Sequence, residues 1–283
     1  MRYLITGATG MLGTDLRAVL AGHDVVALSR SELDITRVDD VRAAAEGVDV
    51  IINTAAYTRV DDAETHESEA AMVNAVGAGN VARVAEENGA TLLQLSTDYV
   101  FDGTATSPYD EDAPTNPTSA YGRTKADGER RALDANPDAT FIVRTAWLYG
   151  QHGSNFARTM LGLGARRPEV NVVTDQVGQP TWSLDLARQL VLLAESDAPA
   201  GIYHATASGQ ATWFEFARAI FELGGLDPEA VRPTDSAQFV RPAPRPAYSV
   251  LGHDAWADAG VPPMRDWRLA LEDAFATSAL EHA

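Results

Sequence analysis

Apolar residues in this chain fall into short, nearly continuous runs, and between the runs they recur at helical spacing. RYLIT (2–6), DVVALS (24–29), VDVIINTAA (48–56), TLLQLST (91–97) and TFIVRTAWLYG (140–150) read as strands. A run such as VDVIINTAA, with little polar alternation, is what a parallel sheet covered on both faces requires. After the first run, Leu12, Leu16, Val19 and Leu20 mark one face of a helix. The segment 34–47 starts with a short extended piece at Asp34 and Ile35, a third strand, and then becomes helical. VDVIINTAA is then the fourth strand and TLLQLST the fifth. Long helices are expected at about 67–88 and 119–135, with a loop rich in Pro, Asp, Thr and Ser over 99–117. Strand and helix alternate throughout, which predicts an α/β fold with a doubly wound parallel sheet of the Rossmann type.

Beyond residue 150 the pattern is less regular. Residues 153–163 read as a helix, VNVVTDQVGQPTW (170–182) as a strand followed by a loop, and SLDLARQLVLLAES (183–196) as an amphipathic helix. GIYHATA (201–207) is a short strand expected to rejoin the main sheet. A helix from Thr212, a proline-rich loop (RPAPRPAYSVL, 241–251) and a last helix at about 267–275 complete the chain. The expected division is a dinucleotide-binding part, 1–150 with 183–208, and a smaller substrate-binding part, 151–182 with 209–283.

Composition narrows the function. The 283 residues include no cysteine, so disulfides, thiolate metal ligands and thiol nucleophiles are out. A formal net charge of −18 opposes nucleic-acid binding, which wants a positive surface. It does not oppose a nucleotide ligand, which needs only a local pocket. MRYLITGATG enters a strand directly, without a signal-peptide pattern, and no run approaches the roughly 18 apolar residues of a membrane span. A cytoplasmic protein is the expectation.

The chemistry gathers around SAYGRTKADGER. Tyr121 and Lys125 are one helical turn apart and share a face. An ammonium beside a phenol favours the phenolate, which suits proton transfer to a carbonyl under reduction. Of 22 basic residues 21 are arginine, and the single lysine is Lys125. Arginine is forked, planar and never deprotonated, whereas lysine is a compact point charge. A chain that uses arginine everywhere else points to a specific need for an ammonium here. Ser96, Thr97 and Asp98 end the strand before this helix, where function concentrates in an open α/β sheet. The Thr97 hydroxyl suits a carbonyl oxygen that gains negative charge.

A nucleotide site is written at the N-terminus. Gly7, Gly10 and Gly13, with Thr9, Met11 and Leu12 among them, form GATGMLG between a strand and a helix, the turn that admits a pyrophosphate. The second strand ends at Ser29 and Arg30 rather than at an acid. An arginine there meets a 2′-phosphate, which favours NADPH over NADH. Asp34 and Ile35 are candidates for lining the adenine, with capping of the next turn the alternative for Asp34. Ala55, Ala56 and Tyr57 are small or flat enough at a strand end to let a dinucleotide pass. Asn74 on the following helix is a candidate polar contact, with a core role the alternative.

These motifs resemble the extended short-chain dehydrogenase/reductase superfamily and, within it, the dTDP-4-dehydrorhamnose reductase family. The resemblance rests on TGATGMLG (6–13), INTAAYTRVDDAE (52–64), LSTDYVFDG (95–103), YGRTK (121–125), RTAWLYG (144–150), NFARTML (155–161), VVTDQVGQPTW (172–182) and RPAPRPAYSVL (241–251). Ala146 departs from the serine usual after RT. The resemblance implies Thr97, Tyr121 and Lys125 as the catalytic trio. It also implies Val60, Asp98, Tyr99 and Trp147 around a dTDP-4-keto-6-deoxysugar; read from the residues alone, Arg241 and Arg245 in an otherwise acidic chain are candidates to meet its diphosphate, with a solvated basic loop the alternative. The implied reaction takes dTDP-4-dehydro-β-L-rhamnose to dTDP-β-L-rhamnose. Some members are homodimers with Mg2+ held by acidic residues; Asp15 and Asp185 are the loose counterparts, and no ligand is assigned. Related reductases of antibiotic-sugar pathways, including dTDP-dihydrostreptose synthase, share the motifs. A non-catalytic regulatory subunit shares the fold, but the intact trio argues against it.

Overall fold

The computed structural model describes residues 1–277 and 279–280. In chain order the first elements are β1 (Arg2–Thr6), α1 (Met11–Val19), β2 (Asp24–Leu28), α2 (Val38–Ala44), β3 (Val50–Asn53) and α3 (Val60–Ala63). Then α4 (Glu67–Ala71) passes through a π turn (Met72–Gly77) into α5 (Ala78–Asn88), followed by β4 (Thr91–Thr97), α6 (Ala120–Ala135) and β5 (Thr140–Thr145). The remainder comprises β6 (Leu148–Tyr149), α7 (Phe156–Gly164), β7 (Val170–Val173), β8 (Val177–Gly178), β9 (Thr181–Trp182), α8 (Ser183–Ala194) and β10 (Gly201–His204). Last come β11 (Ala211–Thr212), α9 (Trp213–Leu223), β12 (Val231–Thr234), α10 (Asp254–Asp258) and α11 (Trp267–Ala276).

Six strands form one parallel sheet in the order β10-β5-β4-β3-β1-β2. The side chains of β1, β3, β4 and β5 are almost all buried on both faces because helices cover both, whereas the edge strand β2 is only partly covered. Leu12, Leu16 and Leu190 join Ile5, Ile52 and Leu93 on one side. Val81, Val84 and Ala85 join Leu4, Ile51 and Leu92 on the other. The chain reverses direction across the sheet between β1 and β3, and a ligand crevice opens outside the carboxyl ends of strands at such a switch point. GIYHATA rejoins the main sheet, as β10 beside β5. No helix among the described residues is long and apolar enough to cross a membrane.

Two expected strands differ. No strand forms at Asp34–Ile35, so VDVIINTAA and TLLQLST are third and fourth in the sheet. The Asp34 carboxylate accepts from the Thr36 amide at 3.0 Å and from its hydroxyl at 2.8 Å. That local bond closes a turn in place of a ladder. The run 140–150 also breaks. After Thr145 the chain leaves the sheet, Trp147 takes φ 48°, and Leu148–Tyr149 pairs with β9. A second core then fills with Tyr149, Phe216, Phe221 and Leu271.

Candidate active site

The carboxyl ends of β1, β3, β4 and β5 open into a single cleft of about 1600 Å³. At one end lies the glycine turn, where Gly7 has φ +65°, and a Cβ on it would sit 2.9 Å from the Ala55 amide nitrogen. Only glycine permits this approach of the turn to the end of β3. The turn delivers the chain into α1, whose N-terminus favours an anion. Thr9, Gly10, Met11, Leu12 and Gly13 line this end with Arg30, Asp34, Ile35, Ala55, Ala56 and Tyr57. Two expected residues lie off the wall. The Ser29 hydroxyl turns to Glu32 at 2.6 Å. Asn74 is buried behind the wall: it accepts from the Tyr57 amide at 2.8 Å and donates to the Tyr57 carbonyl and the Thr124 hydroxyl. Its role in the structure is to pin the Tyr57 segment to α6.

At the floor, β4 and α6 bring Thr97, Asp98, Tyr121 and Lys125 to the same cleft. Helix α6 starts where Ser119 accepts from the Gly122 amide at 3.1 Å, the cap that sets Tyr121 and Lys125 on the inner face. Lys125 is 4% exposed and its Nζ donates to the Leu95 carbonyl at 2.5 Å. Burial lowers its pKa to about 8, against an opposing pull from Glu129. Burial pushes the Tyr121 phenol up to about 12, with Thr97 opposing and the Asp98 charge adding to the rise. The expectation that Lys125 favours a phenolate is therefore corrected. The ammonium is engaged by the Leu95 carbonyl and attracted by Glu129, and the phenol keeps its proton at neutral pH. A proton-bearing phenol is the form from which a donor acts.

The Thr97 hydroxyl donates to Asp98 Oδ1 at 2.9 Å and accepts from the Tyr99 amide at 3.2 Å. Asp98 Oδ2 and the Ser249 hydroxyl are both buried without a well-formed hydrogen bond. The hydroxyl is still near enough to favour the carboxylate, but burial dominates and raises Asp98 to about 6.

Toward the mouth stand Val60, Tyr99, Trp147 and Arg241. The Tyr99 ring meets Tyr121 edge-on at 5.7 Å. The Trp147 ring stacks on Trp213 at 3.5 Å, and a Cβ on Gly178 would come within 2.5 Å of it. This sandwich holds Trp147 in its left-handed backbone conformation. Trp182 is 2% exposed and belongs to the second core rather than to the cleft wall. Arg245 and Arg241 reach Asp61 at 2.9 and 3.9 Å, and Asp61 also accepts from the Ala243 amide at 3.3 Å.

Sequence reasoning placed Ser96 at the functional strand end but passed over Asp61, Trp213 and the Glu129 and Arg144 side chains that Ser96 is buried against. Glu129 alone carried a signal, since it follows Lys125 at the spacing that singled out Tyr121. Asp15 and Asp185 do not fit a magnesium site. Asp15 accepts from Ser183 at 2.5 Å, and Asp185 is neutralised by Arg265 at 2.7 Å and Arg188 at 3.2 Å. A hard cation wants free oxygens, and among the described residues no group of three His, Asp or Glu side chains suits a metal.

The RmlD substrate binding domain family matches residues 1–280. The chain is 52% identical to a probable dTDP-4,6-dihydroxy-2-methyloxan-3-one 4-ketoreductase of Streptomyces antibioticus, over 97% of this chain and 95% of that one. It is 49% identical to a dTDP-4-dehydrorhamnose reductase of Streptomyces griseus, over 97% and 93%. Among solved structures, the Bacillus anthracis dTDP-4-dehydrorhamnose reductase in complex with NADP superposes with a TM-score of 0.94 at 38% identity, over 98% of this chain and 99% of that one.

Proposed function

The chain belongs to the RmlD substrate binding domain family, and from that premise we propose that it reduces the C4 ketone of dTDP-4-dehydro-β-L-rhamnose to dTDP-β-L-rhamnose with NADPH. The observation that carries this reading is the meeting of Thr97, Tyr121 and Lys125 at the floor of a cleft whose far end is the glycine turn. In this reading 1–150 with 183–208 holds the cofactor, and 151–182 with 209–283 supplies the sugar-nucleotide wall. Arg30 at the far rim and the NADP held by the Bacillus anthracis relative support the phosphorylated cofactor.

When bound, the nicotinamide supplies the hydride. The chain manages charge and proton. The Tyr121 phenol retains its proton until an alkoxide, a stronger base than any phenolate, develops beside it. The Thr97 hydroxyl has one proton, held toward Asp98 Oδ1. A proton on Asp98 reverses that bond and frees the threonine to polarise the ketone. Lys125 places a positive charge where negative charge builds up, in surroundings too dry to screen it.

The Streptomyces antibioticus relative supports a second reading, the same chemistry on a related dTDP-4-keto-6-deoxysugar. One experiment separates the two. The protein is incubated with dTDP-4-dehydrorhamnose and NADPH or NADH, and the product is identified by NMR. The expected product is dTDP-β-L-rhamnose, formed faster with NADPH, with Tyr121→Phe slowing turnover by about 10²–10⁴-fold while retaining cofactor binding. An untouched keto-sugar, or a ring-contracted product, overturns the leading reading.

A further inference from the structure

A strap of chain, residues 237–245, borders the mouth of the cleft, fixed at both ends and fastened between them at a single side chain. At its start the Ser236 amide donates to Asp175 Oδ2 at 2.9 Å and the Ser236 hydroxyl to Asp175 Oδ1 at 2.8 Å, while Gln176 Nε2 donates to that hydroxyl at 2.8 Å. At its end the Tyr248 amide donates to the Gly103 carbonyl at 3.1 Å, and Pro246 packs so close that a Cβ on Gly103 would come within 2.4 Å of it. Between these anchors, every hydrogen bond and ion pair that reaches another element among the described residues ends on Asp61 of α3. Its partners are the Arg245 guanidinium at 2.9 Å, the Ala243 amide at 3.3 Å and the Arg241 guanidinium at 3.9 Å. Phe239 and Val240 of the same strap stand exposed.

One carboxylate between two guanidinium groups leaves a surplus of positive charge at the cleft, since Asp61, Arg241 and Arg245 all line it. The fit is also incomplete. Asp61 is within hydrogen-bonding distance of Arg245 and too far from Arg241 to bond it. A diphosphate, with charge spread over several oxygens, can span both guanidinium groups with paired hydrogen bonds. Stability does not account for the contact, because Arg245 and Asp61 are 23% and 31% exposed and water competes for both. The neighbouring Asp62 shows what an acid with a local duty looks like: it accepts from the Tyr57 hydroxyl and pairs with Arg59 and His66, all on its own stretch of chain. Asp61 instead takes an amide 182 positions away.

We propose that Asp61 is an internal stand-in for the ligand's diphosphate: it holds Arg241, Ala243 and Arg245 before a sugar nucleotide enters and releases the two arginines to it, so that its charge sets how tightly the diphosphate is bound. The inference deepens the sugar-nucleotide reading of the cleft and rests on it. The exchange is a near balance, because a carboxylate released at the mouth regains water. The pyrophosphate of the cofactor is not the competitor, since it belongs to the glycine turn at the far end of the cleft.

The probes are dTDP and NADP+, with the affinity of each measured by calorimetry. Asp61→Asn is expected to tighten dTDP by about threefold to fivefold and to change NADP+ by less than about twofold. Beside Arg245→Gln, where Arg241 still attracts the diphosphate, the same substitution is expected to gain less than about twofold. A dTDP affinity that is unchanged or weaker in Asp61→Asn overturns the proposal, because the carboxylate would then preorganise the arginines rather than occupy them. So does an equal gain for NADP+, or an undiminished gain beside Arg245→Gln, since either makes Asp61 a general repulsive charge. The expected pattern in a protein that leaves dTDP-4-dehydrorhamnose unreduced supports this inference and sinks the proposed reduction alone.

Discussion

Two sets of ion pairs flank the cleft, and their bond lengths barely differ. Arg144 meets Glu129 at 2.8 Å behind the floor, and Arg245 meets Asp61 at 2.9 Å near the mouth. Their surroundings differ greatly: the first pair has side-chain exposures of 2% and 6%, the second of 23% and 31%. Length therefore does not rank them. In the interior each ion depends on the other, because neither has water to replace a lost partner. At the mouth water and salt take over much of that duty. The floor holds its charges still, and the mouth leaves its charges in exchange with solvent.

The sharpest way to break this comparison is Arg144→Met. It strands a buried carboxylate and is expected to lower the unfolding free energy by about 3–5 kcal/mol in urea denaturation. Adding Glu129→Leu removes the stranded charge and should recover most of the loss. A single-variant cost below about 1 kcal/mol would place the floor in the same class as the mouth.

Asp98 tests the buried side through pH. Its folded-state pKa, about 6, lies above the ordinary 3.8, so the folded protein binds that proton more tightly than the unfolded chain does. The stability this contributes is fully present below 3.8 and is lost as pH rises through about 6. About two units of difference correspond to about 3 kcal/mol. Asp98→Asn is therefore expected to gain up to that amount at pH 7.5, with the gain shrinking toward zero near pH 4. Urea unfolding of both proteins across that range measures it. A gain equal at every pH would mean that burial of the charge is not its source.

How much of this is legible in the chain depends on whether the cause is local. β1, β3, β4 and α6 are readable because apolar runs and turn-length spacing report them directly. Gly7, Thr97, Tyr121 and Lys125 are readable because each sits in a short motif on such an element. The absent strand at Asp34 is decided by a side-chain bond to Thr36 that competes with a ladder. The break after Thr145 is decided by Trp213, which stacks on Trp147 from far along the chain. Glu129 is readable by helical spacing, but its bonds to Ser96 and Arg144 are not. Those bonds need the β4–β5 register, which pairs Ser96 with Arg144. The mouth is least readable of all, since Asp61 and the arginines it holds lie on segments that no local pattern connects.

Asp61→Asn carries the smallest expected effect and bears on the other half of the comparison. It removes the charge that Arg245 and Arg241 share and leaves an amide to accept from the Ala243 nitrogen. Both arginines remain in reach of water, so the expected loss of stability is under about 1 kcal/mol. What loss there is should fade when the ionic strength rises from about 0.01 to 1 M, because screening shortens from about 30 to 3 Å over that range. The same treatment should leave the Arg144→Met loss nearly intact, since salt does not enter the floor. Parallel urea titrations of the two variants at both ionic strengths make the measurement. If Asp61→Asn costs several kcal/mol and ignores salt, the mouth is as rigid as the floor, and the loop from Arg241 to Pro246 is a fixed wall rather than one that yields to its ligand.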